Sequence, residues 1–403
     1  MNDRRRVAVF TTDFLPYSQT FIHDELVGHR RYQADVFCTR RLAASRGGLR
    51  AECPDPTVFT GGRIYEATRL SPAFDRRLRR GLRSQLPGRP HPGGYGLIHA
   101  HFGGGGVYAL PFARRHGLPL VVTFHGYDVP LLASGERLYP KYWLYGLLGP
   151  AVLRHLTLAL CASRELLEML RELGVPPDRL RLHPIGIDVD RFAERTWRDD
   201  EPPGPDHPDA SLPPLVAMVG RLVPKKGLGY GLRAFAAVRR RRGARAGELV
   251  VAGAGPLRAA LERTARDEGI AEAVTFAGVL PHAEVARLLG RAAVLMAPSV
   301  TTANGDRESG TLVIKEASAA GAVPLATWHG GHPEIVDDGR TGFLVPERHV
   351  DALADRLDQL LADPGLRRRM AVAGRIKMKA EYDNRLRVAA LEEVYDTVWR
   401  GPP

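Results

Sequence analysis

Short apolar runs alternate along most of the chain with segments whose apolar residues have helical spacing. Residues 7–10 and Leu120–Phe124 in the first half, and Leu215–Val219 and Val294–Ala297 in the second, have the length and composition of buried strands. The segment Leu312–Ala320 is one of the helical patterns between them. Continuous apolar strands joined by helices are typical of parallel sheets covered on both faces. The pattern therefore predicts an α/β fold with a doubly wound sheet in each half.

A polar stretch separates the two series of predicted strands. Residues 196–214 are dense in proline, aspartate and glutamate, a composition that cannot form a core and is typical of a linker. This predicts two Rossmann-like domains at 1–195 and 215–380 that face each other across a cleft, with a C-terminal helix at 381–403 packing back on the first. Ligands of such sheets bind beyond the carboxyl ends of the strands. The predicted site is the cleft, with the acceptor on the side of the first domain.

The composition is that of a folded globular protein with a basic surplus. The chain has 403 residues, which favours two domains, and its formal net charge is +12. A basic surplus attracts anions in general, so charge alone does not choose among nucleic acid, lipid headgroups and phosphorylated substrates. Cys38, Cys53 and Cys161 have no paired spacing, and no signal peptide or apolar run of ~20 residues is visible. These features predict a cytoplasmic protein without a disulfide framework or zinc site.

Two carboxylates, Glu308 and Glu316, stand on either side of a predicted helix start. Ser309 fits the N-cap, Gly321 fits the end of the helix, and Glu316 is expected two turns along it. The free backbone N–H groups at 310–312 give such a start a partial positive charge that suits a phosphate. One extended ligand would then place sugar hydroxyls at Glu308, a diphosphate at the helix start and ribose hydroxyls at Glu316. The alternative is that both acids are ordinary surface charges.

A glycine and two cations follow the predicted strand Leu215–Val219. Gly220 and Arg221 come directly after it, and Lys226 lies a few residues further on. Arginine grips phosphate oxygens bidentately, and lysine acts as a point charge. Both cations are therefore expected at the sheet edge where ligands bind. The alternative is a solvated basic turn.

His125 directly follows the predicted strand Leu120–Phe124 and precedes Gly126. A histidine at the carboxyl end of a parallel strand is expected to face the predicted cleft. The alternative is a structural histidine whose ring nitrogens are satisfied by hydrogen bonds within the fold.

Together and in this order, these motifs resemble the family-four retaining glycosyltransferases, which have the two-Rossmann-domain GT-B fold. The resemblance spans nearly the whole chain. It includes the Glu-x7-Glu pair, the Gly-Arg…Lys-Gly segment, the His-Gly at 125–126, the Gly-Gly loop at 329–334 and the segment 339–346. Within the family, the chain is similar to the colanic-acid-type exopolysaccharide enzymes at 15–21, 99–103, 124–128, 186–188 and 298–300.

The resemblance implies a hexosyltransferase that moves a hexose-type sugar from a nucleoside diphosphate donor, expected to be UDP-linked, to a hydroxyl acceptor in polysaccharide, glycolipid or natural-product biosynthesis. It implies His125 and Glu308 as catalytic residues. The implied donor-binding residues are Gly220, Arg221, Lys226, Gly310, Thr311, Leu312 and Glu316. No metal and no cofactor are expected, since enzymes of this fold stabilise the leaving diphosphate with protein cations. A front-face route, in which a phosphate oxygen takes the acceptor proton, fits better than a carboxylate nucleophile.

Several alternatives stay open at this stage. The chain departs from many relatives at Ser318, where they have methionine, and in the glycine run at 103–106. The acceptor is undetermined, so an enzyme of antibiotic or secondary-metabolite biosynthesis is an alternative to an exopolysaccharide enzyme. A nucleotide-sugar epimerase or phosphorylase on the same fold is a more remote one. A nucleic-acid-binding protein is disfavoured, because no basic–aromatic interleaving or binding motif accompanies the net charge.

The segment 70–86 has an apolar residue at every fourth position and five arginines between them. A helix with this pattern has an apolar stripe and a basic face, the form of a helix that lies on an anionic membrane surface. Peripheral contact with the inner membrane face is therefore one expectation for this segment. The alternative is that the stripe packs on the first domain's own sheet.

Overall fold

The computed structural model describes residues 4–14, 20–41, 57–60, 94–134, 142–193, 214–303 and 305–400, which form two compact units. The first unit contains the described residues up to Gly186 and those from Asn384 onward, and the second runs from Ile187 to Asp383. The chain thus passes between the units at 186–187 and at 383–384. The predicted linker at 196–214 lies outside the described residues except for Pro214, and so does the segment 70–86.

A seven-stranded parallel sheet forms the centre of the first unit. Its strands are β1 (Arg5–Phe14), β2 (Tyr32–Arg41), β3 (Thr57–Thr60), β4 (Tyr95–His101), β5 (Leu120–Phe124), β6 (Leu158–Cys161) and β7 (Leu180–Leu182). They lie in the order β3-β2-β1-β4-β5-β6-β7, so the direction of winding reverses between β1 and β4. The apolar pattern does not predict the short strand β3.

The second unit repeats this plan with six parallel strands. They are β8 (Leu215–Val219), β9 (Glu248–Ala252), β10 (Val274–Gly278), β11 (Val294–Ala297), β12 (Val323–Thr327) and β13 (Phe343–Val345). The order β10-β9-β8-β11-β12-β13 reverses between β8 and β11. This is the strand order of a doubly wound dinucleotide-binding sheet, in which ligands bind at the reversal. The predicted α/β fold is confirmed.

Helices connect the strands in both units. They are α1 (Thr20–Gly28), α2 (Phe102–His116), α3 (Asp128–Ala133), α4 (Trp143–His155), α5 (Arg164–Glu172), α6 (Val189–Ala193), α7 (Leu228–Arg242), α8 (Arg258–Asp267), α9 (His282–Arg291), α10 (Leu312–Ala320), α11 (His332–Ile335), α12 (Val350–Ala362), α13 (Pro364–Lys377) and α14 (Asn384–Val398). Among the described residues, no helix has both the length and the apolar character needed to span a bilayer.

Helix α14 belongs to the first unit, as predicted for the end of the chain. Tyr395 is fully buried, and its hydroxyl lies 2.6 Å from Nδ1 of His99 on β4. Glu392 accepts hydrogen bonds from the backbone N–H groups of Arg30 and Arg31 at 2.7 and 2.8 Å. These contacts attach the last helix to the sheet built from the first residues of the chain.

The glycine run at 103–106 forms the first turn of α2, where it permits close packing. A Cβ on Gly105 would lie 2.8 Å from the carbonyl oxygen of Phe10, and one on Gly106 would lie 2.9 Å from Val152. The helix therefore approaches β1 and α4 more closely than side chains would allow. The run has a structural explanation in this chain.

Candidate functional site

The loop after β8 lies at the point where the second sheet reverses its winding. Gly227 ends this loop with φ of 61°, and a Cβ there would stand 1.8 Å from the carbonyl oxygen of Pro298. The backbone N–H of Val300 also donates to the carbonyl of Lys225 at 2.8 Å. Glycine at 227 therefore allows the β8 loop and the segment after β11 to come into contact. That contact lies beside the place where Lys225 and Lys226 meet the predicted carboxylate of Glu308.

Lys226 and Glu308 form an ion pair at this place. The Lys226 ammonium donates to Oε2 of Glu308 at 3.0 Å, and both side chains are about six-sevenths buried, with exposures of 16% and 13%. Lys225 lies 3.5 Å from the other oxygen of Glu308 and donates to Asp306 at 2.9 Å. Two ammonium groups and two carboxylates thus meet in one partly enclosed cluster.

These lysines control the ionisation of Glu308. Burial alone would raise the pKa of Glu308, but the ammonium groups of Lys226 and Lys225 outweigh it and lower the pKa to about 2. Glu308 is therefore a carboxylate at neutral pH and can only accept hydrogen bonds. Arg221, the other predicted cation of this loop, is exposed to solvent.

Helix α10 occupies the predicted segment Leu312–Ala320, but its N-cap lies two residues later than the sequence predicts. Its first residue is Leu312, with Thr311 in the N-cap position, so the prediction of Ser309 as N-cap is wrong. Glu316 consequently lies little more than one turn into the helix rather than two. Gly321 ends the helix in the left-handed conformation, with φ of 92°, which confirms that prediction.

The side chain of Thr311 bonds to a buried histidine instead of capping the helix. Its hydroxyl lies 3.0 Å from Nε2 of His332, whose Nδ1 lies 3.2 Å from the carbonyl oxygen of Thr327. Burial and the neighbouring His329 lower the pKa of His332 to about 3, so its ring is neutral. Because a carbonyl only accepts, Nδ1 carries the proton and Nε2 accepts from Thr311. The N–H groups at the start of α10 are left to other partners.

A second histidine, His329, fixes the backbone of Glu308. The Glu308 N–H donates to Nε2 of His329 at 2.9 Å, and Nδ1 of that ring lies 2.6 Å from Glu347. Glu347 also accepts from the backbone N–H and the hydroxyl of Thr301 at 2.9 and 3.0 Å. Glu308 is therefore held by its backbone as well as by its side chain.

Glu316 has a partner on the neighbouring helix α9. Its Oε1 lies 3.2 Å from Nε2 of His282, and Nδ1 of that ring accepts from Arg191 at 2.9 Å. Because arginine only donates, a neutral His282 carries its proton on Nε2 and donates it to Glu316. This chain of contacts gives Glu316 a fixed orientation while it is still 13% exposed.

The second unit therefore brings together the side chain of Lys226, the carboxylate of Glu308 and the helix start at 310–312, with Glu316 on the same helix. Sequence reasoning missed Lys225, His282 and Glu347, which hold these groups in place. A basic pair at 225–226 and an acid two residues beyond β13 are visible signals. Their pairing is not, because the partners lie far apart along the chain.

His125 lies in the first unit, directly after β5, and is 8% exposed. Its Nε2 lies 3.0 Å from Nδ1 of His101, and the rings of Phe21 and Phe102 pack against it at centroid distances of 4.9 and 4.6 Å. Burial, reinforced by His101, holds the pKa of His125 well below its usual value, so the ring is neutral. It lines a small cleft together with Glu25, Thr123 and His183, among others.

Asp128 binds two backbone segments near His125: the turn directly after it and the start of α2. Its two oxygens accept from the N–H groups of Gly103 and Gly126 at 3.0 and 2.9 Å. Burial raises the pKa of Asp128 to about 6, against the opposing effect of these hydrogen bonds. The turn that carries His125 is thereby joined to the start of α2.

One group of residues among those described has metal-ligand chemistry: an oxygen of Glu25 and ring nitrogens of His99 and His101 lie within 4.8 Å of one another. Both nitrogens of His99 are already used, at 2.6 Å from the hydroxyl of Tyr395 and 2.6 Å from that of Thr123. A metal ion would have to displace one of these short bonds. The group fits a hydrogen-bonded cluster better than a metal centre.

Comparisons with known proteins identify the family to which the chain belongs. A family model described as glycosyl transferases group 1 matches residues 205–377, and one described as glycosyltransferase family 4 matches residues 24–191. The chain is 33% identical over 311 residues to a GDP-mannose-dependent alpha-(1-6)-phosphatidylinositol monomannoside mannosyltransferase of Mycolicibacterium smegmatis, covering 73% of this chain and 75% of that protein. The chain therefore belongs to the family-four glycosyltransferases and is a sugar-transferring enzyme.

Other relatives and solved structures are also similar to this chain. It is 30% identical over 260 residues to WcaL of Salmonella typhimurium, named for colanic acid biosynthesis, with 64% of this chain and 59% of that protein covered. The chain thus spans less than two thirds of WcaL. Its fold matches Anabaena HepE in complex with UDP (TM-score 0.73, 18% identity, 98% and 100% coverage) and WaaG, a glycosyltransferase involved in lipopolysaccharide biosynthesis (0.67, 18%, 97% and 99%). These structures confirm the GT-B fold.

Proposed function

We propose that the protein is a retaining, metal-independent hexosyltransferase that uses a nucleoside diphosphate sugar, with UDP as the expected nucleotide, and a hydroxyl acceptor of polysaccharide or glycolipid biosynthesis. The observation that carries this proposal is the Lys226–Glu308 pair, which stands at the reversal of the second sheet directly before the start of α10. A sugar diphosphate requires these groups side by side, because its phosphates need cations and N–H donors and its hydroxyls need an acceptor.

The leaving diphosphate gains negative charge as the glycosidic bond breaks. Lys226, the exposed Arg221 and the N–H groups at 310–312 are the groups that would stabilise this charge. Removing one such preorganised donor typically costs ~3 kcal/mol of transition-state stabilisation. No metal ion is needed in this scheme, because the protein cations supply the charge.

Each of the two glutamates would bind a different part of the donor. Glu308, ionised at neutral pH, would accept hydrogen bonds from hydroxyls of the transferred sugar. Glu316, oriented by His282, would accept from the ribose hydroxyls. The helix start at 310–312 lies between Glu308 and Glu316 along the chain, so a donor with its diphosphate at this start would have its sugar toward Glu308 and its ribose toward Glu316.

His125 is proposed to contact the transferred sugar from the first unit. A front-face reaction then needs no protein nucleophile, since a phosphate oxygen of the leaving group takes the acceptor proton. A neutral ring at His125 suits contact with a sugar that develops positive charge, because a protonated ring would repel it.

The first experiment measures product formation with a donor panel and an acceptor panel. UDP-hexoses and GDP-mannose are the donors, the latter because one relative is named for it. Polysaccharide fragments and lipid-linked saccharides are the acceptors, and a small natural-product aglycone tests the antibiotic or secondary-metabolite alternative. We expect acceptor-dependent release of nucleoside diphosphate and a product with the donor's anomeric configuration.

Three outcomes would contradict the proposal. An inverted anomer in the product would exclude the front-face route. A changed sugar nucleotide without release of diphosphate would indicate an epimerase. Activity that disappears with excess EDTA and returns with Mg²⁺ or Mn²⁺ would exclude metal independence.

Contact with an anionic membrane is a separate part of the proposal, supported by the net charge of +12 and the pattern of residues 70–86. Sedimentation with anionic vesicles at low salt tests it, with a variant in which Arg76, Arg77, Arg79 and Arg80 are changed to glutamate. We expect the wild type to sediment and the variant to stay in the supernatant. A wild type that stays in the supernatant would indicate a water-soluble acceptor.

A further inference from the structure

A buried series of polar side chains leads from His125 into the first unit. Nδ1 of His101 lies 3.0 Å from Nε2 of His125, and the two ring planes differ by only 14°. On its other edge, Nε2 of His101 lies 3.4 Å from Oε1 of Glu25. His101 is fully buried, and the side chain of Glu25 is 13% exposed. These three residues therefore form a line from a carboxylate to the proposed catalytic ring.

The three residues are held together by regular structure. His99 and His101 are two positions apart on β4 and so point to the same face of the sheet. Phe21 and Glu25 are four positions apart on α1, which places both on one side of that helix. This side of α1 carries Phe21 onto the ring of His125, at 4.9 Å, and Glu25 onto His101. The line is thus built by one helix lying against one sheet face.

The ionised carboxylate of Glu25 determines which ring nitrogens of His101 and His125 carry a proton. Burial alone would raise the pKa of Glu25, but its contact with His101 outweighs burial and holds the pKa well below its usual range. An ionised carboxylate only accepts, so it favours a proton on Nε2 of His101. When His101 carries a single proton, on Nε2, its lone pair is on Nδ1, and the hydrogen bond between the rings then requires a proton on Nε2 of His125.

We propose that Glu25 and His101 are positioning residues for His125, which fix its ring and hold its proton on Nε2 so that the lone pair is on Nδ1. A neutral imidazole in free solution exchanges between two tautomers, and the hydrogen bond made by one nitrogen decides what the other presents. His125 thus enters the reaction with an acceptor nitrogen, and not with an N–H, on the ring edge away from His101. This inference rests on the proposed function only for the statement that His125 contacts the sugar.

The surrounding contacts restrict ring rotation. Phe102 packs against His125 at 4.6 Å and adopts φ of 62°, a left-handed conformation that a bulky residue rarely takes. His99 packs against His101 at 4.4 Å and is itself fixed by hydroxyls of Thr123 and Tyr395. The rings of His101 and His125 therefore have neighbours on more than one side.

The test is imidazole nitrogen NMR on the full-length protein labelled with ¹⁵N at histidine, without substrate and after treatment with EDTA. Resonances of His125 are assigned by their loss in His125→Gln. At about pH 8, where an ordinary imidazole is neutral, we expect His125 to carry its proton on Nε2. We expect Glu25→Gln and His101→Gln to shift the ring toward the other tautomer or a mixture of both.

Tyr395→Phe is the matched control. It removes a hydrogen bond from His99 in the same buried cluster but leaves the line from Glu25 to His125 intact. We expect the tautomer of His125 to be unchanged in this variant. Thermal unfolding of each variant identifies those that fail to fold, and only folded variants enter the comparison.

Several NMR results would overturn the proposal. One is a wild-type His125 with its proton on Nδ1, which would indicate a doubly protonated His101 that donates to it. A second is a tautomer unaffected by Glu25→Gln and His101→Gln. A third is a shift of the His99 and His101 signals with added Zn²⁺ alone, which would make the cluster a metal site.

Activity measurements separate this proposal from the proposed function. If both hold, Glu25→Gln should lower kcat by about 10-fold to 100-fold, as losses of orienting partners commonly do, with little change in the donor KM. An altered tautomer with unchanged kcat would support the line of residues and contradict the role of His125 in catalysis. If the enzyme is inactive with every donor, the proposed function is contradicted, and the NMR measurement alone decides whether Glu25 and His101 position His125.

Discussion

At the scale of single residues, the cluster around Glu308 contains two positive and two negative side chains. Two lysines and two acids lie within ion-pair distance of one another, so each charge has a partner before any ligand arrives. A buried ion pair is costly to break from one side only, because the remaining charge keeps its desolvation penalty. A diphosphate that approaches Lys226 would add negative charge near a cation that is already oriented.

Lys226→Ala and Glu316→Ala should each lower activity at least about a hundredfold, since each removes a proposed donor contact of ~3 kcal/mol. Steady-state kinetics at saturating donor measures this. Glu284→Ala is the matched control for the second variant, because Glu284 is an exposed acid on the neighbouring helix α9. Near wild-type turnover in either site variant would mean that the donor binds elsewhere.

Asp128 gives a pH prediction with a defined sign. Burial raises its pKa in the folded state to about 6, above the ordinary value of 3.8. The folded state therefore binds the proton more tightly, and stability from this group is fully present below about pH 4 and lost as the pH rises through 6. A shift of two units corresponds to roughly 2–3 kcal/mol.

The measurement is the difference in Tm between wild type and Asp128→Asn as a function of pH. The asparagine loses one of the two backbone hydrogen bonds at every pH, but it does not titrate. We expect the wild type to gain on the variant by several degrees between pH 7 and pH 4, at a few degrees per kcal/mol. A Tm difference that is constant over this range would refute the raised pKa.

Residue types in the site were predictable from the sequence, whereas their partners were not. A glycine followed by cations after a strand, and an acid before a helix start, are local patterns with a physical meaning. The contacts of Lys226 with Glu308 and of His282 with Glu316 join residues 82 and 34 positions apart. Residues so far apart along the chain come into contact through the order of the strands in the sheet. The spacing of apolar residues along the chain does not determine that order.

At the scale of elements, the start of α10 shows why a local capping signal can identify the wrong N-cap. Ser309 has the chemistry of an N-cap, yet the helix begins at Leu312. The backbone N–H of Glu308 is bound by His329, and Thr311 is bound by His332, so contacts with the loop after β12 set the conformation of 308–311. Tertiary hydrogen bonds override a capping preference worth ~1 kcal/mol.

Gly227→Ala tests the contact between the β8 loop and the segment after β11. Its positive φ and a Cβ at 1.8 Å from the Pro298 oxygen make alanine incompatible with this contact. We expect a loss of stability of more than ~1 kcal/mol, with weaker nucleotide binding because Lys226 is the preceding residue. Thermal unfolding and calorimetric titration with UDP measure the two effects.

Gly229→Ala is the matched control for this variant. It lies two residues further on, in the first turn of α7, and a Cβ there would meet nothing within 4 Å. Alanine in a helix is favoured over glycine by roughly 0.5–1 kcal/mol, so this variant should be as stable as the wild type or slightly more stable. Equal behaviour of the two variants would contradict the account of Gly227.

At the scale of the whole molecule, the doubly wound sheet in each half of the chain could be predicted from the sequence. Apolar runs joined by helical patterns predict two parallel sheets. The second sheet reverses its winding between β8 and β11, where Lys226 and Glu308 lie, whereas His125 in the first unit follows β5, one strand beyond the reversal between β1 and β4. The passage of the chain between the units was less predictable. It lies at 186–187 and 383–384, where no run of proline or glycine marks it. Composition identifies a segment without a core, but does not identify the residues at which two units join.

The last prediction concerns a hinge at these two crossings. Gly186 packs closely on Asn384 within the first unit, and Ile187 pairs with Asp383 within the second, so the two crossings run side by side. A hinge needs only a few residues whose φ and ψ angles can change, and these two adjacent crossings supply them. We expect saturating UDP to lower the radius of gyration measured by small-angle scattering, with Lys226→Ala as the control that binds nucleotide too weakly to respond. An unchanged radius in the wild type, under conditions where calorimetry shows UDP bound, would exclude closure.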